Sequence, residues 1–395
     1  MEEKSCNCVR WNIVIKLYKI MIISERRTGD MNAQINNIIR MIPPADQTAM
    51  YLAQDRQSKL AKPPGSLGKL EEISVKLAGM TGQVINKADN SVILVFCADN
   101  GIIEEGVSSA PRSVTAAQAV NMTKGLTGMS SIAKALGAQV VVADIGIADE
   151  YVCPEILNCK IARGTRNFLK EDAMPKAAAE RAILTGASLA FDVKKAGAEI
   201  IGIGEMGIGN TSTSTAVLSA LTGMDIDEIT GRGGGLTDEA FARKKAVLKA
   251  ALERRKPDPA DPVDVISKVG GLDIAAMCGA FLGAAANRMP AVIDGFISAV
   301  AALCAAAICP NAKDYMFPSH RSFEPGYTAA MSFLGLDPWL DLDMRLGEGS
   351  GCPIAFQVIK AACAAMSDMA LFGEESAIND GYLEEIRKGD SFSYK

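Results

Sequence analysis

Short continuous apolar runs alternate with longer helical ones through most of the chain. Ser91-Val92-Ile93-Leu94-Val95-Phe96 ends at Asp99-Asn100-Gly101, and Ala138-Gln139-Val140-Val141-Val142-Ala143 ends at Asp144. Ala198-Glu199-Ile200-Ile201-Gly202-Ile203-Gly204 ends at Glu205, Ala291-Val292-Ile293 at Asp294-Gly295, and Asp314-Tyr315-Met316-Phe317 at Ser319-His320. Continuous apolar strands separated by helices predict a parallel sheet covered on both faces. The expected fold is α/β, a three-layer Rossmann-like parallel sheet. Ligands of such sheets bind outside the carboxyl ends of the strands, where nearly every polar residue of interest in this chain falls.

The flanks differ from this centre. From Asn32 to Leu60 the pattern is helical, interrupted at Pro43-Pro44. Lys62-Pro63-Pro64-Gly65-Ser66-Leu67-Gly68 then predicts a rigid turn, because two prolines cannot continue a helix, and Leu70, Ile73, Leu77 and Met80 resume helical spacing. Near the other end, Arg345-Leu346-Gly347-Glu348-Gly349-Ser350-Gly351 sets a carboxylate between glycines, followed by an apolar helical run from Ile354 to Leu371. The expected division is an atypical extension over 1–30, an N-terminal helical segment over 31–85, and an α/β domain over 86–345. Residues 346–395 carry the Glu348 loop and C-terminal helices that complete a small helical domain with the N-terminal segment.

The first thirty residues mix basic and apolar positions, but the run from Arg10 to Ile23 is too short and too interrupted by Lys16 and Lys19 for a spanning helix. Met31 opens a more ordinary segment and is a candidate translation start. The segment 271–310 is alanine-rich enough to resemble a membrane hairpin; Asn287-Arg288 and Asp294-Gly295 interrupt it, so buried, tightly packed helices and a strand are expected instead.

Composition narrows the function. About half of the 395 residues are apolar and the net charge is -5, which gives no electrostatic footprint for nucleic acid or an anionic membrane surface. Small-molecule ligands are expected. The ten cysteines are scattered without a C-x-x-C pair, pointing to a reducing cytoplasm; Cys6 and Cys8 fall in the extension and carry no assigned role. With His320 the sole histidine, general-base chemistry falls to carboxylates or lysine, and no metal site is expected.

Three glycine-containing stretches are candidate ligand loops. Gly202-Ile203-Gly204-Glu205-Met206-Gly207 matches the dinucleotide fingerprint, with Asp225 downstream, yet its first glycines fall inside the strand. The following Ile208-Gly209-Asn210-Thr211-Ser212-Thr213 opens a helix and suits one phosphate held by backbone N–H groups, or merely a polar helix cap. Gly231-Arg232-Gly233-Gly234-Gly235 precedes a helix bearing Arg243-Lys244-Lys245, a basic set that is also compatible with an ordinary solvated face. Glu348 has a structural alternative too, since acids are common in a helix's first turn. From residues alone, an oxidoreductase of Rossmann type and a non-catalytic nucleotide- or base-binding protein stay open beside a transferase.

Together the motifs Lys62-Pro63-Pro64-Gly65-Ser66-Leu67-Gly68, Ala98-Asp99-Asn100-Gly101, Gly106-Val107-Ser108, Gly204-Glu205-Met206-Gly207-Ile208-Gly209-Asn210-Thr211, Ser319-His320-Arg321-Ser322 with Glu324-Pro325-Gly326, and Leu346-Gly347-Glu348-Gly349 carry a resemblance. The chain resembles the nicotinate-nucleotide:dimethylbenzimidazole phosphoribosyltransferases, the CobT family of cobamide lower-ligand assembly, from about Ala45 to Gly373. That resemblance implies transfer of phosphoribose from nicotinate mononucleotide to a benzimidazole-type base, with no cofactor, by a homodimer. It implies Glu348 as general base, with Glu205 and Lys244 close to the nucleotide. Phosphate and substrate contacts carry over to Met206, Gly207, Gly209, Asn210, Asp294, Gly295, Ser322 and Leu346, and the wall of the base pocket to Gln118 and Ser109. Two positions depart from the family pattern: Asn100 and Tyr327 stand where relatives commonly carry histidine. The accepted base is therefore open to another benzimidazole, a purine or a phenol.

Overall fold

A computed structural model describes residues 30–373; the extension 1–29 with Cys6 and Cys8, and residues 374–395 of the C-terminal segment, lie outside the described residues. In chain order the structure has α1 (Met31–Arg40), α2 (Gln47–Lys59), α3 (Lys69–Thr81), β1 (Ser91–Ala98), α4 (Ser113–Thr123), α5 (Gly128–Leu136), β2 (Gln139–Gly146) and β3 (Leu157–Asn158). There follow α6 (Lys176–Lys195), β4 (Ile200–Met206), α7 (Asn210–Thr222), α8 (Ile226–Ile229), α9 (Asp238–Arg255), α10 (Pro262–Val269) and α11 (Leu272–Ala286). The chain continues through β5 (Ala291–Ile293), α12 (Phe296–Ile308), β6 (Met316–Pro318), α13 (Pro325–Leu334) and α14 (Cys352–Asp368). The described residues fall into two compact units, 30–44 with 90–356 and 45–89 with 357–373.

The larger unit is an α/β fold built on a parallel sheet of six strands among the described residues, ordered β3-β2-β1-β4-β5-β6. All eight residues of β1 are buried, as a strand covered on both faces requires. Connections leave the sheet in opposite directions on either side of the β1/β4 pair, so the carboxyl ends of these two strands flank the topological switch point. Five of the six strands coincide with the apolar runs in the sequence. The two-residue β3 is the exception, too short to leave a periodic signal.

The glycine fingerprint on β4 has a packing explanation. A Cβ on Gly202 would lie 2.5 Å from Cys352 Cβ, and one on Gly204 would lie 2.4 Å from the Glu348 carbonyl oxygen. Both glycines let the segment around Glu348 lie directly on the strand. Neither is spent on a close approach to a pyrophosphate, which is their purpose in a dinucleotide fold.

Alanine and glycine in 271–286 serve helix packing as well. Cβ atoms on Gly186 of α6 and Gly279 of α11 would each fall 1.8 Å from a backbone carbonyl of the facing helix, Ala276 O and Ile183 O respectively. The two backbones are in contact, which only small residues permit. Helix α1, whose N-cap Asp30 accepts the amides of Asn32 and Ala33, packs on this same pair and so belongs to the larger unit. No helix among the described residues is long and apolar enough to cross a membrane.

The smaller unit packs Ala49, Ala53, Leu60, Ala78 and Met366 around a compact core. Its proline turn is closed by Glu71, whose Oε1 meets Lys62 Nζ at 2.6 Å and accepts Leu67 N at 3.0 Å.

Gly186→Ala tests the helix contact. The added methyl has backbone against it and forces α6 and α11 apart, so the urea midpoint is expected to fall by the equivalent of roughly 1–3 kcal/mol at unchanged m-value. An unchanged midpoint would contradict the close approach.

Candidate active site

The carboxyl ends of β1, β4 and β5 gather buried acids: Asp99, Glu205, Asp273 and Asp294. Glu348 joins them from the loop that precedes α14. This loop needs its glycines, because Gly347, Glu348 and Gly349 take φ values of 81°, 65° and 92° in succession. Left-handed geometry costs a side-chain-bearing residue about 1 kcal/mol or more, so Glu348 is held there against its own preference.

Hydrogen bonds supply the hold. Gly349 N and Gly351 N donate to the two oxygens of Asp294, at 3.0 and 2.7 Å, and Glu348 N donates to Glu205 Oε1 at 3.3 Å. The Glu348 carboxylate accepts from Met129 N at 3.2 Å, at the amino end of α5, and from Gln118 Nε2 of α4 at 3.4 Å. The positive end of the helix macrodipole thus faces the carboxylate. Burial pushes its pKa up, while the Met129 amide, the Thr127 hydroxyl and Gln118 pull it back. A weakly tethered carboxylate of raised basicity suits proton acceptance.

Glu205 sits at the end of β4, fully desolvated. Burial, then the neighbouring Asp273, push its pKa up to about 8, against the opposing hydrogen bond from Asn210 Nδ2. The same amide reaches Asp273 Oδ2 at 3.3 Å, and burial raises that acid to about 6. The Asn210 side chain therefore bridges two acids. Its backbone opens α7, where Gly209, at φ 93°, caps the helix. On the adjacent strand, Gly295 caps α12 with Ser322 beside it, so two helix amino ends sit at neighbouring strand ends, an arrangement that favours an anion.

The structure links Glu348, Glu205, Gln118, Asn210 and Asp294 directly, with Gly207 and Gly209 in the same turn. Lys244 is not among them. Its ammonium is fully buried and donates to Thr211 Oγ1 and Gly231 O, both at 3.0 Å, so it braces the Gly231–Gly235 loop against α7. Burial lowers its pKa to about 8, opposed by Glu324, whose Oε1 accepts Gly233 N at 3.1 Å on the same loop. Ser109 lies against Gly234; Met206 is partly exposed, and Leu346 covers Gly128 at the start of α5. His320 is buried, with Nδ1 3.0 Å from Ser319 Oγ and 3.9 Å from Asp294 Oδ1. Asn100 is enclosed beside Gly207, Gly271 and Asp273, and Tyr327 is buried on α13.

Three contributors had no role in the sequence reading: Met129, Asp273 and Glu324. Asp273 had a signal, as the only acid in the apolar run of α11. The Thr127–Ser130 spacing at the start of α5 forms a capping box, but nothing local joins it to an acid 219 residues away.

The fold and site define an α/β protein that gathers buried carboxylates at the strand ends flanking its switch point. Residues 42–377 match a family model described as phosphoribosyltransferase (DBI_PRT), and the chain belongs to that family. A nicotinate-nucleotide–dimethylbenzimidazole phosphoribosyltransferase from Clostridium perfringens is 46% identical over 358 residues, 91% of this chain and 99% of the relative. The enzyme of that name from Clostridium tetani is 48% identical over 354 residues, covering 90% and 98%. The crystal structure of CobT from Thermus thermophilus superposes with a TM-score of 0.79 at 36% identity, over 82% of this chain and 97% of that one.

The raised pKa of Glu205 has a consequence for stability. Its proton is bound more tightly in the folded state than in the unfolded chain, so the associated stability is present below about pH 4.5 and is lost as pH rises through about 8. Glu205→Gln should flatten the decline of Tm across that window. A variant whose Tm falls with pH as steeply as the parent's would show that Glu205 is not the group responsible.

Proposed function

We propose that this chain transfers the phosphoribosyl group of nicotinate mononucleotide to a ring nitrogen of 5,6-dimethylbenzimidazole or a related base, giving α-ribazole 5′-phosphate and nicotinate in cobamide lower-ligand assembly. The observation that carries the reading is the Glu348 carboxylate, held in left-handed backbone between two glycines and tethered to Met129 N and Gln118. Its relatives' shared name supports the choice of substrates.

The reaction forms a bond from the base nitrogen to the anomeric carbon and breaks the bond to the pyridinium nitrogen. The electron pair of the broken bond neutralises the departing ring, which therefore needs no general acid. The attacking benzimidazole loses its ring proton, and Glu348 takes it. Direct displacement inverts the β linkage to α. Positive charge on the sugar is stabilised by the acids at the strand ends, among them Glu205, which accepts the Glu348 amide. The cation of the donor favours ionised Glu205, so donor binding is accompanied by proton release. The phosphate is assigned to the two helix amino ends at Gly209 and Gly295, beside Ser322. Lys244 acts through the glycine loop it supports. The same reading includes a homodimer in the cytoplasm.

Incubation of the protein with nicotinate mononucleotide and dimethylbenzimidazole, followed by chromatography and NMR of the riboside, checks the reaction. Nicotinate and the α-anomer are the expected products, and Glu348→Gln should lower kcat by about 10² to 10⁴-fold with the fold intact. Near-normal turnover in that variant removes Glu348 as the base. No product from the parent protein, with adenine and phenol also tried as acceptors, removes the reaction.

A further inference from the structure

The acid whose placement is best determined in the crevice is Asp294, and its geometry differs from that of a ligand contact. It is 1% exposed, and each carboxylate oxygen is occupied by a backbone N–H of the Glu348 loop, Gly349 N on Oδ2 at 3.0 Å and Gly351 N on Oδ1 at 2.7 Å. Its own backbone is fixed from both sides. Asp294 N donates to Ser298 Oγ at 3.2 Å, that hydroxyl donates to Ile203 O on β4 at 2.9 Å, and Asp294 O accepts Ser319 Oγ at 3.0 Å. The carboxylate is thus a rigid extension of the sheet, pinned to β4 and to the end of β6. A phosphate brought to these oxygens would meet a negative charge, whereas two loop amides meet a well-placed acceptor.

We infer that Asp294 is the positioning residue for the reaction: it clamps the Gly349 and Gly351 amides and so forces Glu348 into the left-handed backbone from which its carboxylate faces the crevice. Three features fit this assignment together. Glu348 sits one residue before the first clamped amide, so an error in the clamp passes straight to the base. A Cβ on Gly351 would fall 2.2 Å from His320 Nδ1, so the loop is seated closely enough for the clamp to fix it. On the other side, Gly204 leaves 2.4 Å between a would-be Cβ and Glu348 O, so the strand admits the loop at one height only. Burial raises the Asp294 carboxyl, and nearby His320 together with the amides of Gly351, Gly349 and Gly295 opposes that rise.

The inference rests on Glu348 being the base, and a double-mutant cycle tests it. In Asp294→Asn one acceptor becomes an NH2 group facing an N–H donor, which releases half of the clamp. The expected result is a kcat reduced by roughly 10- to 100-fold, a KM for nicotinate mononucleotide changed by less than about threefold, and almost no further loss when the change is added to Glu348→Gln. Additive losses, or a raised KM with kcat preserved, would overturn the inference and make Asp294 a substrate contact or a general support. If Asp294→Asn does not fold, Ser319→Ala, which frees the Asp294 carbonyl, is carried through the same cycle with the same criterion. Hydrogen exchange separates this outcome from failure of the reaction itself. Faster exchange at the Gly349 and Gly351 amides in the Asp294 or Ser319 variant is expected whether or not the parent turns over these substrates, and unchanged exchange there refutes the clamp.

Discussion

Burying several carboxylates side by side where parallel strands end is the constraint on which this molecule is organised. A desolvated acid without partners is costly enough to take up a proton instead. Asp294 avoids the full cost by accepting two loop amides, and Asp273 and Glu205 share the Asn210 amide. The protein therefore has to provide donors at fixed positions, and the turns and helix starts around the crevice supply them. What remains under-compensated is Glu205, pushed up to about 8, and Glu348, whose hydrogen bonds from Met129 N and Gln118 are long. Those are the two groups the proposed chemistry uses.

Close backbone approach is the second requirement, and it explains the glycines. Gly204 and Gly349 interlock where the loop crosses β4, with a Cβ on Gly349 reaching 2.9 Å from Ile93 Cγ2 and 3.2 Å from Gly204 Cα. The same economy of side chains joins α6 to α11, so the frame behind the crevice is as tightly packed as the crevice itself. Lys244 donates to Gly231 O and Thr211 Oγ1 beside this frame.

Most of the architecture was legible because parallel strands buried on both faces leave continuous apolar runs, and because polar residues at their ends mark the crevice. Leu157-Asn158 left no such run. Glu348 stood out through its flanking glycines, which their own φ values of 81° and 92° explain, and Gln118 was available only through family resemblance. The donors that complete the site were not legible: Met129 N is a backbone group brought to Glu348 by tertiary packing, and no side-chain pattern encodes it. The glycine fingerprint of 202–207, set aside in the sequence because its first glycines fall inside the strand, arises for a physical reason: a strand crossed by a loop and a turn that approaches a pyrophosphate both demand residues without a Cβ. The helix at 31–40 shows how polarity alone leaves unit membership undetermined, because its partners α6 and α11 lie far along the chain.

The central claim is that Glu348 is the group that takes the proton of the accepted base. A crystal structure of the complex with nicotinate mononucleotide and dimethylbenzimidazole, trapped in Glu348→Gln, addresses it most directly. The expected result is a ring nitrogen of the base within about 2.6–3.2 Å of the residue 348 side chain, with the opposite nitrogen directed at the anomeric carbon. A base whose ring nitrogens are met by other side chains, with residue 348 out of hydrogen-bond reach, would contradict it.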